Sequence, residues 1–143
     1  MTGPITVTEC FSGTGPQEDL KGGVTIALDP AAWQDFKTRL PEGHAARKQC
    51  DGVDFSRSAL AFIRFPSDSN TRLQVVSAAA SPRALTLRLS RSQAVPNLLA
   101  VVPAEAWLIV EVPQASLNPR PQVSVQIEGV GFEGKVEFLG RAK

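Results

Sequence analysis

The sequence is poor in the side chains that carry most enzyme chemistry. Its 143 residues include one histidine, two cysteines and no tyrosine. His44 is therefore the single candidate for a histidine base in a Ser-His-Asp or Cys-His mechanism. Cys10, His44 and Cys50 offer three widely spaced metal ligands, whereas a structural zinc site needs four at tighter spacing. We predict no metal site and no cofactor.

Long hydrophobic runs are also lacking. The longest apolar stretch, 98–112, is interrupted by Pro103 and Glu105, and a membrane helix needs about 20 apolar residues. The N-terminal segment has neither the basic region nor the apolar stretch of a signal peptide. We expect no membrane span, and a protein that is either cytosolic or a mature chain whose leader has been removed.

Two cysteines do not define a redox compartment. Cys10 and Cys50 lie 40 residues apart and can form one disulfide in an oxidising compartment. Two buried free thiols would give the same sequence, so both states remain open.

The formal net charge of +1 favours no class of charged partner, but the charge is unevenly distributed. Residues 57–91 contain six arginines against the single acid Asp68. If neighbouring strands carry them, Arg72 and Arg88 share an outer sheet face and form a basic strip for an acidic partner or a nucleic acid. A solvated face is the alternative. The pattern does not favour nucleic acid, because tyrosine is absent and the other aromatic side chains follow apolar patterns.

Short apolar stretches separated by Gly, Pro and Ser predict a mainly β, antiparallel fold that is sandwich-like or a partly closed barrel. Leu85, Leu87 and Leu89 alternate with polar residues, which indicates one buried face. The segments 98–102 and 108–110 do not alternate and are predicted to be central strands covered on both sides. The predicted strands are 5–11, 24–28, 59–65, 72–79, 84–90, 98–102, 107–112, 122–128 and 135–140.

One segment, near residues 30–40, is predicted to be helical. Asp29 can cap the helix, Pro30 suits its first position, and Trp33, Phe36 and Leu40 form one apolar stripe. Pro41 and Gly43 follow and are expected to end it. The helix should cover one face or end of the sheets.

The segment 129–134, Gly-Val-Gly-Phe-Glu-Gly, matches the letters of a dinucleotide-binding fingerprint. That motif requires a helix after the glycines, whereas a strand is predicted here. We therefore predict a hairpin turn at Gly129, Gly131 and Gly134. The chain is predicted to be a single domain, 1–143, with 122–140 as a C-terminal hairpin extension.

Residues 24–113 resemble the C-terminal domain of the bacterial protease-complex subunit PrcB. The resemblance is carried by Asp54-Phe55-Ser56 before the strand 59–65, by the upstream helix 29–40, and by Pro103, Trp107 and Val112-Pro113. It implies a non-catalytic, periplasmic or secreted bacterial module that accompanies a protease, and it is consistent with a Cys10–Cys50 disulfide. The family's Gly-Gly-Tyr loop is replaced here by a segment without Gly or Tyr, so its recognition role is not transferred to 67–72.

The sequence therefore predicts a non-catalytic binding or structural accessory module whose partner is another protein. Loops 66–71 and 91–97 are the predicted contact surface, because loops on a rigid sheet carry most binding. The candidate binding residues are Arg64, Arg72, Arg88, Arg91, Ser67 and Asn70. One alternative is a small hydrolase or thiol enzyme that uses Cys50 and His44, and another is a nucleic-acid or anion binder that uses the 57–91 arginines. The sequence does not indicate whether a small molecule binds.

Overall fold

The computed structural model describes residues 2–17, 22–98, 100–132 and 134–140. These residues form nine strands, one α-helix and two short 3-10 turns, at Ala45–Arg47 and Gln114–Ser116. The strands are β1 (Gly3–Pro4), β2 (Thr8–Gly15), β3 (Gly23–Ala27), β4 (Ser58–Asp68), β5 (Thr71–Ala80), β6 (Ala84–Gln93), β7 (Pro103–Pro113), β8 (Gln122–Ile127) and β9 (Lys135–Leu139). The helix is α1 (Pro30–Lys37).

The strands are arranged in two sheets that pack face to face, so the predicted mainly β, sandwich-like fold is confirmed. The four-stranded sheet has the order β1-β5-β6-β8, and the five-stranded sheet has the order β2-β7-β4-β3-β9. Both sheets are mixed rather than wholly antiparallel, because β8 runs parallel to β6 and β9 runs parallel to β3. Each of these strands enters its sheet after a crossing from the other sheet.

Alternation along the strands builds the core between the sheets. Leu85, Leu87 and Leu89 are fully buried there, as the sequence pattern predicts. The strand β4 is covered on both faces: Ala61 and Ile63 face the other sheet, whereas Leu60 and Phe62 face the opposite side.

The outer face of the five-stranded sheet is covered by α1 and the loop that follows it. The carboxylate of Asp29 accepts a hydrogen bond from the Ala32 N–H at 2.8 Å, which caps the helix as predicted. Trp33 and Phe36 pack with Phe62 in a second apolar cluster. A disulfide between Cys10 in β2 and Cys50 fastens this covering layer to the edge of the sheet.

Two expectations about the second half of the chain are wrong. The segment 98–102 is not a central strand: its described residues form an exposed connection between β6 and β7, and residue 99 lies outside the described part. The hairpin 122–140 does not form, because β8 and β9 belong to different sheets. The glycine-containing segment between them crosses from one sheet to the other, and its turn at Gly129, with φ of 79°, reverses the chain directly after β8. None of the described helices is both long enough and apolar enough to span a membrane.

Candidate binding cleft at one end of the sandwich

A cleft of about 480 Å³ lies at the end of the sandwich where four chain segments meet. These are the β4–β5 turn, the last residues of β6, the connection 94–102 and the first residue after β8. The lining side chains are Ser67, Asp68, Asn70, Thr71, Arg91, Ser92, Gln93, Leu98, Val101 and Glu128. The two loops that the sequence predicts as a contact surface, 66–71 and 91–97, therefore border one concave site.

Asn70 fastens these two loops to each other. Its side-chain Nδ2 donates to the Val95 carbonyl at 2.9 Å, and its Oδ1 accepts from the Val95 N–H at 2.8 Å. Its own carbonyl accepts from the Ala94 N–H at 2.8 Å. Asn70 is 4% exposed, so these bonds are largely shielded from water. Asn70 therefore lines the cleft and also joins the two loops that border it.

A hydrogen-bonded turn fixes the opposite wall. The carboxylate of Asp68 accepts from the Asn70 N–H at 2.8 Å and from the Thr71 hydroxyl at 3.0 Å. The Ser67 hydroxyl lies 2.8 Å from the Thr71 hydroxyl and donates to it, since the Thr71 proton goes to Asp68. Because these short polar side chains bond one another, the turn between β4 and β5 presents a rigid surface to the cleft.

The connection 94–102 supplies an apolar wall to this polar site. Among the described residues six large hydrophobic side chains are exposed, and four of them lie here, namely Val95, Leu98, Val101 and Val102. Two hydrogen bonds hold the far end of this loop. The Ser69 N–H donates to the Val102 carbonyl at 2.9 Å, and the Val102 N–H donates to the Ser69 hydroxyl oxygen at 3.2 Å. A concentration of exposed apolar side chains beside a cleft is typical of an interaction site rather than of a solvated loop.

The predicted arginines do not form one surface. Arg91 lines the cleft, and Arg72 lies beside it with its guanidinium bonded to the carbonyls of Ser69 and Thr71. The strand register places Arg72 opposite Ser92 on the outer face of the four-stranded sheet. Arg88 lies on the same outer face, four residues or roughly 13 Å further along β6, and outside the cleft.

Arg64 lies in a different part of the molecule. Its guanidinium is 3.4 Å from the carboxylate of Glu105, on the face of the five-stranded sheet that α1 covers. Glu105 is 1% exposed and also accepts from the Trp107 indole N–H at 3.0 Å. Sequence reasoning missed Glu105 as a partner, although β-strand alternation places it on the same face as Trp107. This ion pair belongs to the packing of the covering layer and not to the cleft.

The alternative catalytic pair is engaged in structural contacts. Cys50 is buried and bonded to Cys10, so the oxidised protein has no thiolate at that position. The Nδ1 atom of His44 accepts from the Ala46 N–H at 3.0 Å, and its Nε2 donates to the Thr14 carbonyl at 2.7 Å. Both ring nitrogens of His44 therefore stabilise the 3-10 turn and its docking onto β2. No grouping of three or more His, Cys, Asp and Glu side chains with metal-binding geometry occurs within the described ranges.

The opening of β4 is fixed by a second hydrogen-bonded turn, at the end of the sandwich opposite the cleft. The hydroxyl and the main-chain N–H of Ser56 both donate to one carboxylate oxygen of Asp54, at 2.6 and 3.0 Å. These two bonds hold the pKa of the exposed Asp54 carboxyl below its ordinary value of 3.8. The Asp-Phe-Ser segment is thus a turn that precedes a core strand, with Phe55 buried.

Three cleft residues lie outside the two predicted loops and were not singled out from the sequence: Leu98, Val101 and Glu128. The available signal was the apolar stretch 98–102 between Pro96 and Pro103, which the pattern assigned to the core. A scan of protein-family models finds no match for this chain, and searches of curated proteins and of solved structures find none either.

Proposed function

We propose that this chain is a non-catalytic binding module that holds another protein at the cleft between loops 66–71 and 91–97. The observation that carries the proposal is the exposed apolar wall of Leu98 and Val101 beside the rigid polar wall of the β4–β5 turn. Asn70 and Asp68 hold that arrangement with partly buried hydrogen bonds, so the site is preorganised and binding costs little ordering entropy.

The proposal includes a cellular setting. The resemblance of residues 24–113 to the PrcB C-terminal domain supports a protease-associated accessory role in the bacterial cell envelope. The Cys10–Cys50 disulfide supports an oxidising compartment such as the periplasm. The engagement of Cys50 and His44 in structural bonds supports a role without catalysis.

Site-specific photo-crosslinking in the cells that express the protein tests this function. A photoreactive amino acid at Val101 should give a discrete crosslinked species that mass spectrometry identifies. The matched control is the same amino acid at Val76, which is 53% exposed but lies on β5 outside the cleft, compared with 47% for Val101.

The identified partner is then purified and its affinity measured. Leu98→Asp with Val101→Asp should weaken binding at least about tenfold, because two charges replace apolar contacts worth about 1 kcal/mol or more each. Val76→Asp should leave binding unchanged. Equal crosslinking from both positions, or equal affinity of both variants, would show that the cleft is not the binding site.

A further inference from the structure

The floor of the cleft contains an unpaired sheet edge. The strand β6 continues to Gln93, but its neighbour β8 is paired with it only as far as Leu89 opposite Ile127. The four residues 90–93 therefore extend beyond β8 on that side of the sheet, over roughly 13 Å. Arg91 and Gln93 from this extension line the cleft.

The direction of the main-chain groups follows from the hydrogen bonds at each end of the β6–β8 pair. Gln122 N–H donates to the Arg83 carbonyl, and Glu128 N–H donates to the Leu89 carbonyl, each at 2.9 Å. Odd-numbered residues of β6 thus direct their main-chain groups towards β8, since these groups alternate along a strand. Even-numbered residues face β5, and the bond from the Ala94 N–H, directly after β6, to the Asn70 carbonyl, directly before β5, continues this alternation.

By this alternation the N–H and C=O groups of Arg91 and Gln93 point into the space beyond the end of β8. None of the described residues gives these four groups a main-chain partner on that side. Leu98 and Val101 belong to the connection that crosses from this sheet to the other one, and they line the same cleft as Arg91 and Gln93. The site thus combines a main-chain template with an apolar wall.

We infer that the cleft binds its partner by strand addition, an inference that rests on the proposed function. An extended, uncharged segment of the partner polypeptide lies along 90–93 in line with β8 and bonds to the main chain of Arg91 and Gln93. Every second side chain of the segment is apolar and contacts Leu98 and Val101. Main-chain bonds then supply affinity, and the apolar wall supplies selectivity, as in other cases of strand addition.

The lining of the cleft favours an extended, uncharged polypeptide segment over a charged ligand. The lining contains Arg91 together with the acids Asp68 and Glu128, so no single sign of charge dominates. A folded surface would leave the four main-chain groups of Arg91 and Gln93 without partners beneath it, at a cost of about 1 to 3 kcal/mol for each buried group. An extended segment satisfies these groups and covers the apolar wall together.

The first test uses the free full-length protein and amide hydrogen exchange measured by NMR. Arg91 and Gln93 should exchange at least about 100-fold faster than Leu87 and Leu89, which occupy the same side of β6 but are paired with β8. Equal protection of all four amides in the dilute protein would overturn the inference. Protection of Arg91 and Gln93 that rises with protein concentration would overturn it as well, since the occupant would then be a second copy of this chain.

The second test selects binders from a display library of random 12-residue peptides on the disulfide-intact protein. Selected peptides should be apolar at alternate positions, should lose affinity with Leu98→Asp plus Val101→Asp, and should protect Arg91 and Gln93 from exchange. Single N-methylation along the best peptide should weaken binding at least about tenfold at alternate positions and little at those between, because only every second N–H faces β6.

The outcomes separate this inference from the proposed function. If no peptide is selected, or if binding is insensitive to N-methylation, strand addition is wrong, whereas crosslinking at Val101 can still show that the cleft binds a partner. If neither the crosslink nor the affinity depends on the cleft, the proposed function fails as well.

Discussion

The disulfide offers the most direct quantitative test of the fold. Reduction of the Cys10–Cys50 bond releases a loop closed over a sequence separation of 40 residues. The chain-entropy relation for a loop of that size gives a loss of about 4 kcal/mol in the free energy of unfolding. For a domain of this length, that loss corresponds to a decrease in melting temperature of roughly 12 °C.

The assay is urea denaturation followed by tryptophan fluorescence, because Trp33 and Trp107 are both buried in the cluster that the disulfide adjoins. Oxidised and reduced wild-type protein are compared, so that no side chain changes apart from the bond. The matched control is Cys10→Ala with Cys50→Ala, whose stability should not respond to reductant. Peptide mapping under non-reducing conditions should recover the Cys10–Cys50 link.

A difference below about 1 kcal/mol between the oxidised and reduced forms would refute the reasoning. It would mean either that the bond is absent from the purified protein, which the peptide map detects, or that the segment between the cysteines remains structured in the denatured state. In the second case the dependence of stability on urea concentration should be the same in both forms, whereas a steeper dependence in the reduced form would indicate a less compact denatured state.

Three further predictions concern single polar side chains. Asn70→Ala should lower the free energy of unfolding by about 2 kcal/mol and accelerate hydrogen exchange of the Val95 amide, because two shielded hydrogen bonds to Val95 are lost. An effect below about 0.5 kcal/mol would contradict the role of Asn70 in joining the two loops. Gln114→Glu should lower the free energy of unfolding, measured by heat or urea, by about 3 kcal/mol, which is more than the effect of Gln114→Ala. The reason is that the Nε2 group of Gln114 donates to three carbonyls, which a carboxylate oxygen would repel. A smaller effect of Glu than of Ala would be inconsistent with that amide orientation. The pKa of the Asp54 carboxyl is lower in the folded state than its ordinary value of 3.8. The charged carboxylate therefore stabilises the fold at pH values above 3.8, and this contribution is lost as the pH falls through the folded-state pKa. The advantage in melting temperature of wild type over Asp54→Asn should shrink in acid, and a constant difference between about pH 6 and about pH 2.5 would exclude the role of the charged turn.

Local patterns in the sequence were sufficient for most of the elements. The period-two spacing of Leu85, Leu87 and Leu89 identifies a strand with one buried face, and the strand is found there. The Asp29 cap and the stripe of Trp33 and Phe36 identify α1 within a few residues of its observed bounds. In each case the determining interactions join residues a few positions apart, so the sequence contains them directly.

The apolar segment 98–102 shows where local patterns fail. Its composition matches that of a core strand. Hydrophobicity alone does not show whether a side chain is buried in the fold or remains exposed. Whether such a segment is buried depends on the number of strands already placed in each sheet. Here β7 begins at Pro103, and the segment before it is used to cross from one sheet to the other.

The cleft itself was predicted only as two loops. The sequence indicated that 66–71 and 91–97 lie at strand ends, but not that both lie at the same end with the apolar connection beside them. The outer-face position of Arg72 followed from alternation, whereas the pairing of Arg64 with Glu105 required the register between β4 and β7. Register depends on contacts between residues about 40 positions apart, which a single sequence does not display.

The amino-acid sequence by itself determined most of the segments that are strands, where the helix lies and which strand faces are apolar, because short-range periodicity and capping fix those features. Tertiary structure alone decided that β8 stops before β6 does, that the described residues of the segment 98–102 remain exposed, and that Cys10 meets Cys50. Each of these depends on how two sheets are stacked and how far each strand extends, and such long-range geometry is set by the packing of the whole core.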